Sequence, residues 1–285
     1  LKISYIQNIT ELKGTETRIT FNLIEKFNQK GIQVLVNDCD DDCDFILSMN
    51  GLSQMNRFKD VSEKFPDKKK IMYVWDCYPW TKYFNEFEWV SNCDQIWVPS
   101  NAVSLRLNEA YNIPFEKIKC IKCYAEFFES KYDSAVNNGF VYHPVRKYND
   151  INFEILDNAC NELGIEFFRS NHSLSYSEYK SRVLSCSFLV TEYMEASTGG
   201  LTLLEGYYNG KDVLISDSIY QGASDYFGDR AYYFKQGDYE DFKNKIKMLY
   251  EKQDTIDLED RRNWCKQYTI DAMMERIINS LKELQ

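Results

Sequence analysis

The residues best placed to do chemistry form one run, Thr191-Glu192-Tyr193-Met194-Glu195-Ala196-Ser197-Thr198-Gly199-Gly200-Leu201-Thr202-Leu203-Leu204-Glu205-Gly206. An apolar strand, Phe188 to Thr191, enters a small-residue loop with paired glycines, and a helix begins near Leu201. Paired glycines let a ligand approach the backbone, and the amides at a helix start favour an anion such as a pyrophosphate. Glu205 stands one helical turn after Leu201. There a carboxylate reaches past the phosphates and accepts hydrogen bonds from a sugar diol. A loop whose glycines merely permit tight packing, followed by a solvated glutamate, is the competing reading. Residue types alone do not separate the two.

Such a corner needs a rigid sheet behind it, and the chain supplies the pattern of one. Strands are expected at Lys2–Gln7, Ile32–Val36, Phe45–Met49, Lys70–Trp75, Gln95–Val98 and Lys119–Lys122, with a helix over Thr15–Gln29 closed by Gly31. The polar stretch Ser130–Asn138 reads as a linker, after which the pattern restarts. Strands follow at Gly139–His143, Ile165–Phe168, Ser187–Thr191, Asp212–Ser216 and Ala231–Phe234. Helices are expected over Phe153–Leu163, Tyr239–Lys252 and Arg261–Leu284. Continuous apolar strands alternating with amphipathic helices imply parallel sheets covered on both faces. The fold class is α/β, with two Rossmann-like, doubly wound lobes facing a cleft: 1–130, 139–260, and a final helix in 261–285 that is a candidate for crossing back to the first lobe. In such sheets ligands collect beyond the carboxyl ends of the strands, which is where the glycine run lies.

Composition excludes several alternatives. A length of 285 residues suggests about two domains. A net charge of -10 removes the basic face that a general nucleic-acid binder needs. No apolar run is long enough to span a membrane, although peripheral association stays open. Nine cysteines, mostly within apolar runs such as those around Cys120, Cys160 and Cys186, read as reduced thiols of a cytoplasmic protein. The acidic turn Asp38–Asp44 fails as an EF-hand because Cys43 and Met49 occupy the Gly and Glu positions. Cys120-Ile121-Lys122-Cys123 lacks a second pair and sits in an expected strand, which argues against zinc. Neither His143 nor His172 accompanies a nucleophile motif.

Three segments together resemble the donor-binding half of retaining GT-B glycosyltransferases of family 4 (glycosyl transferases group 1). They are Gly200-Leu201-Thr202-Leu203-Leu204-Glu205-Gly206, Asn209-Gly210-Lys211-Asp212-Val213-Leu214-Ile215-Ser216 and Gly228-Asp229-Arg230-Ala231. In the first lobe, Cys93-Asp94-Gln95-Ile96-Trp97-Val98-Pro99-Ser100 and Lys13-Gly14-Thr15-Glu16-Thr17-Arg18 are similar to that family's last strand–helix unit and opening glycine turn.

The resemblance implies transfer of a hexose-type sugar from a nucleoside-diphosphate donor to a hydroxyl acceptor, a glycan or lipid-linked glycan, as in polysaccharide biosynthesis. It implies retention of configuration, no metal and no cofactor beyond the nucleotide sugar. It assigns Glu205 to the ribose, and Gly199, Gly200, Leu201 and Thr202 to the diphosphate or sugar. Arg146 and Lys147 become candidates for neutralising the leaving diphosphate, Asp76 for facing the transferred sugar, and Gly14 and Thr15 for the acceptor and phosphate side. Trp80, Tyr83, Phe84, Phe87 and Trp89 follow Asp76, with core packing expected for most of them. One departure stands out. By spacing, the family's first glutamate falls on Ser197, and Glu195, the candidate for that role, lies two positions earlier. A binding or scaffold protein of the same fold, or a sugar-nucleotide epimerase or hydrolase, is therefore the alternative.

Overall fold

The computed structural model describes residues 1–6, 15–48, 55–75, 88–128, 139–144, 154–170, 174–191, 200–252 and 256–285. These divide into two compact units, Leu1–Tyr124 with Ile270–Gln285, and the described residues of 125–269. No helix among them is long and apolar enough to cross a membrane.

The first unit carries β1 (Lys2–Tyr5), α1 (Thr15–Gln29), β2 (Gln33–Val36), β3 (Phe45–Ser48), α2 (Met55–Lys64), β4 (Lys69–Tyr73), β5 (Gln95–Val98), α3 (Asn101–Tyr111) and β6 (Ile118–Cys120). Its sheet runs β2-β1-β3-β4-β5-β6, and every pairing is parallel. The order reverses between β1 and β3. α1 buries Ile19, Leu23 and Phe27 at helical spacing. Gly31, at φ 74°, makes the left-handed turn into β2.

The second unit carries β7 (Phe140–His143), α4 (Glu154–Leu163), β8 (Glu166–Arg169), α5 (Tyr176–Ser185), β9 (Phe188–Thr191), α6 (Leu201–Tyr208), β10 (Asp212–Ser216), α7 (Ser224–Phe227), β11 (Tyr232–Phe234), α8 (Tyr239–Glu251) and α9 (Leu258–Cys265). The sheet order is β11-β10-β9-β7-β8, again parallel, with its reversal between β7 and β9. Alternation along the strands splits the core by face. Val141, Phe188, Val190 and Leu214 pack with Leu156, Phe242 and Ile246 of α4 and α8. Tyr142, Leu189, Val213 and Ile215 pack with Val183, Leu203, Leu204 and Tyr207 of α5 and α6.

The strands expected from the sequence are present, with ends that move by a residue or two. The expected linker, 130–138, lies outside the described residues. The division instead falls at Tyr124/Ala125, and the Ala125 amide donates to the Tyr268 carbonyl at 2.9 Å within the second unit. Three helices, α2, α5 and the one-turn α7, stand where no helix was expected. The single helix expected over Arg261–Leu284 is a correction. α9 ends at Cys265, Lys266–Tyr268 form a 3-10 turn, and α10 (Ile270–Leu284) follows. Buried Tyr268 accounts for the break: its hydroxyl donates to the Tyr226 carbonyl at 2.6 Å while its own carbonyl serves Ala125. α10 belongs to the first unit, where Trp97 Nε1 donates to Ser280 Oγ at 3.0 Å and Lys26 pairs with Asp271 at 2.8 Å. β6 stops at Cys120, so the Cys120/Cys123 pair does not lie within one strand; buried Cys123 contacts the Tyr73 hydroxyl at 2.9 Å.

Gly206 sets the spacing of the second unit. A Cβ there would stand 1.9 Å from Leu189 Cδ1, so α6 rests on β9 at a distance only glycine permits. Leu189 is fully buried in that core, and its Cδ1 is the atom that would have to shift. Gly206→Ala is expected to destabilise the chain by about 1–3 kcal/mol through overpacking, seen as a lower denaturation midpoint. An unchanged midpoint would mean that the Leu189 side chain yields to the added methyl without cost.

Candidate functional site

The glycine run lies where the sheet of the second unit changes direction. β9 delivers the chain at buried Thr191, and description resumes at Gly200. Gly200 is the N-cap of α6 at φ 76° and ψ 70°, a left-handed conformation suited to glycine. Its carbonyl accepts from the amides of Leu203 and Leu204 at 2.8 and 3.4 Å, and it offers no side-chain cap. The amides of Leu201 and Thr202 open the helix beside it, in the arrangement that favours an anion.

Glu205 follows one turn later and is only 8% exposed. A carboxylate at that depth needs polar partners. Tyr179, from the first turn of α5, donates its hydroxyl to Glu205 Oε2. The same hydroxyl lies 2.9 Å from Thr202 Oγ1. Asn209 closes the far end of α6, its amide donating to the Glu205 carbonyl at 2.8 Å and to the Phe128 carbonyl at 2.9 Å. Burial first, and then the charge of Glu205, hold the Tyr179 hydroxyl well above the ordinary tyrosine value. Burial raises Tyr142 on β7 as well, and that ring also feels the charge of Glu205.

Of the residues singled out in the sequence, the structure brings Gly200, Leu201, Thr202 and Glu205 into one corner. Gly14, Asp76, Arg146, Lys147, Glu195 and Gly199 lie outside the described residues, as do Trp80, Tyr83, Phe84 and Phe87. Thr15 opens α1. Tyr179 was missed, because the helix that carries it was not expected. The signal was there: Ser175 and Glu178 form a capping box, with the Ser175 amide donating to Glu178 Oε2 at 2.8 Å. Among the described residues no three His, Cys, Asp or Glu side chains converge to hold a metal ion.

No family model and no curated protein matches the chain. Solved structures do match. Anabaena HepE, solved in complex with UDP and glucose, superposes with a TM-score of 0.71 at 13% identity over 99% of both chains. The lipopolysaccharide outer core galactosyltransferase WaaB gives 0.71 at 13% identity over 100% of both. Sucrose-phosphate synthase from Thermosynechococcus elongatus gives 0.71 at 11%, over 99% of this chain and 98% of that one. The chain thus has the fold of GT-B glycosyltransferases, two Rossmann-like parallel-sheet lobes.

Burial of these titratable groups fixes an alkaline response. Folding raises Tyr5, Tyr142 and Tyr179 from 10.0, and pushes the thiols of Cys93, Cys186 and Cys265 from 9.0 up to about 12. Unfolded thiols and phenols release protons at values the folded groups still resist, so the unfolded state binds fewer protons there. The thermal midpoint is therefore expected to fall as pH rises past about 9 and more steeply past about 10, with these groups contributing no pH dependence below about 8. A phenolate absorbance titration of the folded chain that ionises every tyrosine near 10 would contradict this.

Proposed function

We propose that the chain is a glycosyltransferase, transferring a hexose-type sugar from a nucleoside diphosphate to a hydroxyl of a glycan or lipid-linked glycan. The observation that carries this reading is the corner after β9, a left-handed Gly200, a helix start without a side-chain cap, and a buried carboxylate one turn beneath it. Diphosphate oxygens would be received by the amides of Leu201 and Thr202, supported by the backbone of Gly199 and Gly200. Glu205 would accept the ribose hydroxyls, a charge-assisted bond in a site largely closed to water. The fold adds support, since similar solved structures include one bound to UDP and glucose.

The chemical step needs charge where the diphosphate departs. Arg146 and Lys147, in the segment between β7 and α4, are proposed for that role, stabilising the leaving group without a metal. Donor phosphate then takes the acceptor proton as the sugar–diphosphate bond breaks and the acceptor oxygen bonds the anomeric carbon from the same face, giving retention. Glu195 and Asp76 are proposed to face the transferred sugar, and Gly14 and Thr15 the acceptor. Ser197, standing where a glutamate would match by spacing, favours the second reading, a protein that binds nucleotide sugar with little turnover.

A nucleotide-sugar panel scored by release of nucleoside diphosphate tests the proposal. Glu205→Ala is expected to lower kcat/KM by about 10- to 100-fold, mostly through KM, as loss of a hydrogen bond to a charged group does. Arg146→Ala should lower kcat by about 100-fold or more. EDTA should leave turnover unchanged. Full activity in both variants would sink the site assignment, and nucleotide binding without release would favour the second reading.

A further inference from the structure

Resting on the donor reading of Glu205, we propose that Tyr179 is a positioning residue that aims the Glu205 carboxylate and so makes the site select ribose over deoxyribose nucleotides.

The argument starts from proton counting. A phenol has a single proton and two neighbours here, Glu205 Oε2 and Thr202 Oγ1 at 2.9 Å. The phenol is the donor at both contacts, and its one proton goes chiefly to the carboxylate, the stronger acceptor. The phenol thus bridges Thr202 and Glu205 and joins α6 to the first turn of α5. Both ends lie at the helix start that would hold the diphosphate. A carboxylate offers four acceptor sites, and the phenol takes one of them. What the phenol contributes is direction, because a bond to Oε2 fixes which way the carboxylate plane faces.

The phenol is itself held. Its ring stacks on Tyr176 with centroids 6.1 Å apart and meets Phe128 edge-on at 6.4 Å. Lys180 Nζ lies 4.3 Å above Tyr176 and 5.1 Å above Phe128. The Tyr179 amide donates to the Ser175 carbonyl at 2.9 Å inside the capped first turn of α5. A ring fixed this way presents its hydroxyl at one point. Its raised pKa keeps the proton in place at neutral and mildly alkaline pH. A hydrogen-bonding site built around a substrate hydroxyl rejects an analogue lacking it far better than an apolar pocket rejects an extra group. An aimed Glu205 is such a site for the ribose diol.

The test is calorimetric binding of uridine, adenosine and guanosine diphosphates, each beside its 2′,3′-dideoxy analogue, to the full chain, Tyr179→Phe, Glu205→Gln and the double variant. The parent should prefer the ribonucleotide, and Glu205→Gln should abolish that preference. Tyr179→Phe, which keeps the ring and its packing, should reduce the preference about fivefold to thirtyfold with dideoxy affinity unchanged. The double variant should match Glu205→Gln. Should Tyr179→Phe not fold, Thr202→Val removes the second acceptor of the phenol proton and should raise the preference about twofold to fivefold, a lowered preference overturning the positioning role. An undiminished preference in Tyr179→Phe, or an equal loss of ribo and dideoxy affinity, overturns the positioning role. No parental preference, no binding, or no effect of Glu205→Gln overturns the donor reading beneath it.

Discussion

The contact on which the second unit depends is the bare Cα of Gly206 against Leu189. A helix that rests this close to a strand cannot be moved outward or rotated without opening a void on the buried face. That constraint sets how far Glu205 sinks beside β9, and hence which groups it can meet. One position earlier in the helix, the carboxylate is carried inward to Tyr179, whose own helix packs on the same face through Val183. The polar corner therefore inherits its precision from an apolar contact, because close-packed interiors transmit small shifts.

Charge in the second unit is distributed with the same economy. Lys252 and Arg261 both hold Asp212, the first residue of β10, at 2.8 and 2.5 Å. Arg169 faces Asp157, Arg230 faces Asp260, and Lys243 joins Glu162 and Glu240. Arg182 lies 3.7 Å over the ring of Phe168. These cations serve the scaffold, at edges and helix ends. In a chain of net charge -10, a diphosphate needs cations gathered locally, the role proposed for Arg146 and Lys147.

The sheets were legible because their strands are buried on both sides. Phe188-Leu189-Val190-Thr191 is apolar without alternation, and it is buried along its whole length. The helix start at Leu201 could be read because two glycines precede an apolar run. α5 escaped because Tyr-Ser-Glu-Tyr-Lys-Ser-Arg-Val-Leu-Ser has one buried residue, Val183, and no apolar stripe. The Glu205–Tyr179 bond escaped with it, being a contact across 26 positions that no local pattern encodes. The break before α10 was hidden for a similar reason: Tyr268 ends the helix through tertiary bonds to Tyr226 and Ala125 rather than through Gly or Pro.

The return of α10 to the first unit has a consequence for the order of assembly. Trp97 and Ser280 meet across 183 positions, so the first unit to be synthesised is the last whose core can close. During synthesis the described residues of the second unit, all between 125 and 269, are made before residue 270 emerges. The earlier half must wait with the Trp97 side of its sheet uncovered. Such a surface invites chaperones in the cell and aggregation outside it, which makes the fifteen residues of Ile270–Leu284 a late-arriving lid on the nascent protein.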